Sequence, residues 1–164
     1  MAKVKNPPVP LLAGLREELG RIGATVGLCH GCFDILHEGH VHHLREAAAS
    51  ADVLVVSVTA ARHIDKGEGR PVFGDRARLS LVTALEMVDY AVLTDAPTAA
   101  PLIRRLRPDF YIKGADYDGS FDKRLHEERD ALREVGGTFL TTSGHVFDSS
   151  TRAAHALGAA AGPW

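Results

Sequence analysis

Short apolar runs alternate with helix-forming segments along most of this 164-residue chain. The clearest run, residues 52–59, is continuous and rich in β-branched side chains, which is typical of a strand buried on both faces of a parallel sheet. By the same criterion we predict four more strands, at residues 25–29, 90–93, 110–112 and 138–141.

Helical periodicity and glycine stops separate these runs. The predicted helices span residues 11–21, 41–50, 76–87, 97–106, with Pro97 in its first turn, 121–135, and a last segment beginning near Ser149 or Ser150. Strands that alternate with helices predict an α/β fold, a Rossmann-like open parallel five-stranded sheet with helices on both faces. A ligand site is expected beyond the carboxyl ends of the strands, near the switch in strand order.

Polar side chains follow the predicted strands at this same edge. Residues 30–40 come after the first strand, Lys66 and Arg70 after the second, residues 113–117 after the fourth and residues 143–151 after the fifth. Topology and side-chain chemistry therefore predict the same site independently.

The richest of these segments is a glycine-bearing turn followed by two histidines. His37 and His40 are three residues apart, so on a helix both imidazoles share one face. At a helix N-terminus, that face looks toward a natural anion site. The arrangement suits a phosphate under nucleophilic attack.

Composition bounds the class of protein. The length predicts one domain, residues 1–164, with a loose proline-bearing lead-in at residues 1–10. A net charge of -2 with scattered basic residues disfavours a nucleic-acid partner. The sequence also lacks the run of about 20 apolar residues that a membrane span requires. Two cysteines and no secretory signal pattern predict a cytoplasmic protein without disulfides.

The turn at residues 31–34 and the segment His37-Glu38-Gly39-His40 resemble a known signature, the H-x-G-H motif of cytidylyltransferase-like nucleotidyltransferases, which follows a G-x-F-D type turn. Other matches to that family are residues 66–73, Arg78, residues 84–90, 106–109, 113–117 and 149–151. These segments look most like the adenylyltransferase domain that acts on heptose 1-phosphate. Cytidylyltransferases of small phosphates and phosphonates share the pattern more loosely.

The resemblance implies one reaction class. An acceptor phosphate or phosphonate oxygen attacks the α-phosphorus of a nucleoside triphosphate, and pyrophosphate leaves. CTP is favoured over ATP here because cytidylyl transfer covers more of the acceptor types left open; adenylyl transfer from ATP to a heptose 1-phosphate is the alternative. Mg²⁺ is implied by the triphosphate, and a homodimer is implied by the family.

Roles carried over from the family fall on three groups of residues. The implied catalytic residues are His37, His40 and Lys66. The implied nucleotide-binding residues are Gly31, Cys32, Phe33, Gly39, Lys113, Gly114, Asp116, Tyr117, Ser149, Ser150 and Thr151. The implied acceptor-binding residues are Asp34, Lys66 and Arg70, with Asp34 also a candidate indirect metal ligand.

Two other functions remain open at this point. Cys29 and Cys32 form a Cys-x-x-Cys pair between a strand and a helix, which also describes a redox or zinc-binding module. A nucleotide-sensing module without turnover is the second. In addition, residues 141–148 contain no arginine, whereas relatives that act on glycerol 3-phosphate carry one just before the serine-threonine segment. Residues 145–148 also differ from the glycine-rich version of the heptose branch. These two departures leave the identity of the nucleotide and of the acceptor open.

Overall fold

The computed structural model describes residues 9–117 and 122–144. Within these residues the strands form one five-stranded parallel sheet in the order β3-β2-β1-β4-β5. The elements are α1 Val9–Arg21, β1 Val26–Gly31, α2 Glu38–Ala49, β2 Val53–Thr59, α3 Asp75–Thr83, β3 Tyr90–Thr94, α4 Ala100–Leu106, β4 Phe110–Lys113, α5 Lys123–Val135 and β5 Thr138–Thr141. The predicted Rossmann-like α/β fold is confirmed.

Each face of the sheet is covered by helices because successive strand residues point to opposite sides. Leu28 packs in one core cluster with apolar residues of α1, α4 and α5. Its neighbour Cys29 packs in the other cluster, with residues of α2 and α3. Both faces are therefore apolar, which explains why the strands read as continuous apolar runs.

Three predicted helix boundaries are wrong. Helix α2 begins at Glu38 and not at residue 41, because His37 already serves as its N-cap residue. Helix α3 ends at Thr83 and not at residue 87, because its chain continues in tight turns that bury Val88 completely. Helix α4 begins at Ala100, so Pro97 lies before the helix and not in its first turn. There the Ala100 N–H donates a hydrogen bond of 3.4 Å to the hydroxyl of Thr98. This bond supports a helix that starts three residues after the proline. The last predicted helix, near Ser149, lies outside the described residues.

Strand order reverses between β1 and β4, which are neighbours although β2 and β3 come between them in sequence. The crevice beyond the carboxyl ends of β1 and β4 is therefore the expected ligand site. Helix α2 begins next to this crevice, with His37 as its N-cap residue. In the part of the chain described, no helix is long and apolar enough to cross a membrane.

The connection from α5 to β5 leaves no room for a side chain at Gly137. A Cβ atom there would lie 2.6 Å from the carbonyl oxygen of Pro108 and closer still to the side chain of Leu132. We predict that Gly137→Ala lowers the free energy of unfolding by about 1–3 kcal/mol, because the backbone must shift to relieve the overlap. Urea unfolding followed by circular dichroism measures the change.

Gly14→Ala is the matched control. Gly14 lies inside α1, and an added Cβ would meet no atom within 4 Å. This substitution is expected to raise stability by about 0.5–1 kcal/mol, since alanine favours helix over glycine. Equal effects of the two substitutions would contradict the packing argument.

Candidate active site

The turn after β1 is shaped by close packing between a glycine and an aromatic ring. Phe33 is buried and has a φ of 47°, in the left-handed region that bulky residues rarely occupy. A Cβ on Gly31 would lie 3.1 Å from the Phe33 ring. The absence of a side chain at Gly31 thus lets the Phe33 ring fold back under the turn, after which the chain enters α2.

A fully buried arginine holds this turn to the rest of the sheet edge. Arg78 donates hydrogen bonds to the carbonyl oxygens of Cys32 and Thr59, both at 2.7 Å, and to that of Phe73 at 3.0 Å. Its charge is paired with Asp75 at 2.6 Å. The turn after β1, the end of β2 and the loop before α3 are therefore fixed to one side chain.

The two motif histidines lie against each other at the start of α2, as their spacing predicts. Their ring centroids are 3.8 Å apart, and the His40 ring lies 5.3 Å from that of Phe33. Burial, together with the positive charges of His37, His43 and Lys66, lowers the pKa of His40 from 6.5 to about 3. His40 is therefore a neutral imidazole, and its buried Nδ1 has no hydrogen-bond partner among the described residues.

These side chains open onto a cavity of about 330 Å³, here called the histidine cavity. It brings together most of the residues that the family resemblance assigned to the site. They are Gly31, Cys32, Phe33, Asp34, His37, Gly39, His40, Lys66, Lys113, Gly114 and Tyr117.

Arg70 and Asp34 bind each other. The Arg70 Nε donates to Asp34 Oδ2 at 2.5 Å, and the Phe73 N–H donates to Oδ1 at 3.0 Å. Burial would raise the pKa of Asp34, but hydrogen bonds from the Phe73 and Val72 N–H groups and from Arg70 lower it below its usual value. In this arrangement both carboxylate oxygens brace the loop that carries Lys66.

Four of the expected nucleotide-binding side chains lie outside the part of the protein that the structure describes. Ser149, Ser150 and Thr151 lie outside the described residues. The backbone of Asp116 lies in the short 3-10 turn Ala115–Tyr117, but its side chain is also outside the description.

His30 lies in the segment predicted at this edge but was assigned no role, and its buried ring contacts the neighbouring strand β2. Its Nδ1 lies 2.8 Å from Ser57 Oγ and its Nε2 lies 3.3 Å from Thr59 Oγ1. Ser57 Oγ in turn lies 2.5 Å from the hydroxyl of Thr94. Burial and the charge of Lys113 lower the pKa of His30 to about 3, so this imidazole is also neutral.

A second cavity, of about 260 Å³, adjoins the first and is here called the acidic cavity after the buried carboxylate in its wall; its lining also includes lysine and arginine side chains. Its wall contains Glu128, which is 3% exposed and which the sequence analysis also missed. Helix periodicity could have marked Glu128 as a core-facing position of α5, but nothing local indicates its partners. The residues that line both cavities are His30, Gly31, Cys32, Lys66, Lys113 and Tyr117.

The cysteines have the wrong electrostatics for a redox pair. Cys29 is fully buried, and burial raises the pKa of its thiol to about 12. The pKa of Cys32 is also raised by burial, although the charges of Lys66 and Arg78 oppose the shift. Reactive thiols instead have lowered pKa values. The described residues also contain no group of three or more histidine, cysteine or carboxylate side chains placed to hold a metal.

Comparison with known proteins agrees with this geometry. Bifunctional protein HldE of Campylobacter fetus is 45% identical over 101 residues, which is 60% of this chain and 22% of that protein. HldE of Desulfatibacillum aliphaticivorans is 35% identical over 152 residues, covering 92% of this chain and 30% of that protein. The chain therefore spans only about a quarter of the length of these relatives.

Solved structures share the fold. A lipopolysaccharide core biosynthesis protein from Thermoplasma volcanium is 31% identical, with a TM-score of 0.62, and the match covers 76% of this chain and all of that one. Pantoate-beta-alanine ligase from Francisella tularensis, at 11% identity and a TM-score of 0.59, matches 84% of this chain and 66% of its own, and shares the fold alone. The family model described as cytidylyltransferase-like matches residues 28–155. The resemblance predicted from the H-x-G-H segment is thus confirmed, and the chain belongs to the cytidylyltransferase-like family of nucleotidyltransferases.

Proposed function

We propose that this domain transfers a nucleoside monophosphate from a nucleoside triphosphate to a small phosphorylated acceptor. An acceptor phosphate oxygen forms a new bond to the α-phosphorus, the bond from that phosphorus to the bridging oxygen of the β-phosphate breaks, and pyrophosphate leaves. The observation that carries the proposal is the pair His37 and His40 at the N-terminus of α2, with the His40 ring neutral, in a cavity that also contains Lys66 and Lys113.

This arrangement supports charge stabilisation without a covalent intermediate. The first N–H groups of α2 and the positive end of its dipole favour an anion at this place. A neutral imidazole donates through one nitrogen, so His40 adds a hydrogen bond to a phosphoryl oxygen without the cost of burying a second cation. Lys66 and Lys113 supply the positive charge. Fixed donors of this kind stabilise the charge that develops on the transferring phosphoryl group.

The two cavities offer places for the two substrates. The histidine cavity, at the N-terminus of α2, suits the triphosphate. The acidic cavity, with Asp65 and Asp122 in its lining, suits the hydroxyl-bearing part of an acceptor, since carboxylates accept hydrogen bonds from hydroxyl groups. Because Lys66 and Lys113 line both cavities, an acceptor phosphate and the α-phosphate would meet beside them.

For the substrates, we propose ATP and a sugar 1-phosphate of the heptose type. Support comes from the matches to bifunctional HldE proteins and to a lipopolysaccharide core biosynthesis protein, together with the heptose-like segments of the sequence. The preference for CTP drawn from the sequence has no specific support in these matches. Mg²⁺ would enter with the triphosphate, held by phosphate and water oxygens, as this ion prefers.

A substrate screen tests both levels of this proposal. We expect pyrophosphate release to be fastest with ATP and heptose 1-phosphate among ATP, CTP, GTP and UTP, each combined with sugar 1-phosphates, polyol phosphates and phosphonates. If CTP with a polyol phosphate or a phosphonate is best, the adenylyl assignment is wrong and nucleotidyl transfer stands. Nucleotide binding without turnover across the whole panel would instead favour a sensing module.

Substitution of one histidine tests the mechanism. His40→Ala removes a donor at the proposed phosphoryl site, and kcat is expected to fall by about 10²–10³, as for the loss of one oxyanion-hole donor. His126→Ala is the matched control, since that side chain is 75% exposed on α5. A near-normal kcat in His40→Ala, with the circular dichroism spectrum unchanged, would rule out the proposed role.

The neutrality of His40 also predicts a pH effect on stability. The unfolded chain binds a proton at His40 below pH 6.5, whereas the folded chain does so only near pH 3, so stability falls as pH drops through this interval. Between pH 7.5 and 4.5 the loss from this residue is up to about 2–3 kcal/mol. His40→Gln removes this contribution. Its free energy of unfolding, measured with urea at both pH values, should therefore fall less between pH 7.5 and 4.5 than that of the parent protein. An equal loss in both proteins would mean that His40 titrates normally.

A further inference from the structure

Glu128, on α5, is a buried carboxylate whose two oxygens are both held by hydrogen bonds. Its Oε1 accepts a hydrogen bond from the Ala99 N–H at 2.9 Å, and its Oε2 accepts one from the Tyr111 hydroxyl at 2.7 Å. The first bond ties α5 to the start of α4, and the second ties it to β4. Because both oxygens are held by neighbouring elements, the negative charge has a fixed position.

The cation next to this carboxylate is Lys113. Its Nζ lies 3.6 Å from Glu128 Oε2 and donates a hydrogen bond to the His30 carbonyl oxygen at 3.2 Å. The ammonium also lies 4.7 Å from the centre of the Tyr117 ring. Lys113 is 7% exposed and lines both the histidine cavity and the acidic cavity. Its charge is therefore held in the wall that the two cavities share.

Stability is a poor explanation for this ion pair. A buried pair gains little net free energy, because desolvation of the two charges offsets their attraction. The hydrogen bonds from Ala99 and Tyr111 would also be available to an uncharged glutamine at position 128, through its carbonyl oxygen in at least one case. What an anion adds is a counter-charge that holds a buried ammonium in one place.

We propose that Glu128 is a positioning residue that holds the Lys113 ammonium between the two cavities for contact with the triphosphate. This inference rests on the nucleotidyl transfer proposed above. Glu128 itself does not contact the reacting atoms and acts only through Lys113. Loss of either partner should therefore weaken the same contact, and loss of both should be no worse than loss of Lys113.

A double-mutant cycle tests the inference. The variants are Glu128→Gln, Lys113→Met and the double substitution, assayed by pyrophosphate release with the best substrate pair of the parent protein. Each single substitution is expected to raise the KM for the triphosphate about 10- to 100-fold, as for the loss of a hydrogen bond to a charged group. The double variant should match Lys113→Met within about threefold, because interacting residues are not additive.

Tyr111→Phe is the matched control, since it removes one hydrogen bond to the same carboxylate, leaves both charges, and leaves the carboxylate held by the Ala99 N–H and by Lys113. Its KM should stay within about threefold of the parent value. A purely structural role of Glu128 would reduce the folded fraction and hence the apparent kcat, with KM unchanged. That pattern in Glu128→Gln, a KM effect in Tyr111→Phe as large as in Glu128→Gln, or multiplied effects in the double variant would each overturn the inference.

Two further outcomes are covered by the same set. If Glu128→Gln does not fold, Glu128→Asp takes its place, because it keeps the negative charge and draws the carboxylate away from Lys113. A raised KM for the triphosphate in Glu128→Asp that is not raised further when Lys113→Met is added supports the inference, and a parent-like KM in Glu128→Asp overturns it. If the parent protein releases no pyrophosphate with any pair, nucleotidyl transfer fails and this inference with it. If the parent protein transfers the nucleotide but the effects of the two substitutions on KM are independent, only the inference about Glu128 is wrong.

Discussion

The site depends on the hydrogen bonds that the buried guanidinium of Arg78 donates to backbone carbonyl oxygens. Carbonyl oxygens at strand ends need donors, and the planar fork of an arginine can serve several of them at once. Here one side chain serves the turn after β1, the end of β2 and the loop before α3, with Asp75 as counter-charge. Three segments far apart in sequence therefore keep fixed relative positions before any substrate arrives.

The distribution of charge at the crevice follows from burial. His30 and His40 are neutral, while Lys66 and Lys113 carry the positive charge. Charging the imidazoles as well would gather several cations in one cavity, at a cost in free energy. The neutral rings lower that repulsion and still offer N–H donors. An anion that enters the crevice thus meets hydrogen-bond donors as well as cations.

Much of this arrangement was predictable from local sequence. Apolar runs identified the strands, alternation identified the parallel sheet, and the spacing of His37 and His40 placed both rings at the start of α2. Side chains whose roles depend on distant partners were missed. Glu128 reads as one more charged residue on a helix, and its meaning comes from β4 and the start of α4. The end of α3 was also missed, because the burial of Val88 depends on tertiary packing.

The bracing of the loop before α3 has a consequence for Lys66. The Ala61 N–H donates to Asp75 at 2.7 Å, and Arg70 is fastened to Asp34, so the exposed Lys66 lies on eight residues between two anchors. Such a short tether confines the ammonium near the mouth of the crevice at an effective concentration on the order of millimolar or more. For an anion already bound in the histidine cavity, contact with Lys66 is then an intramolecular step that orders only a few residues.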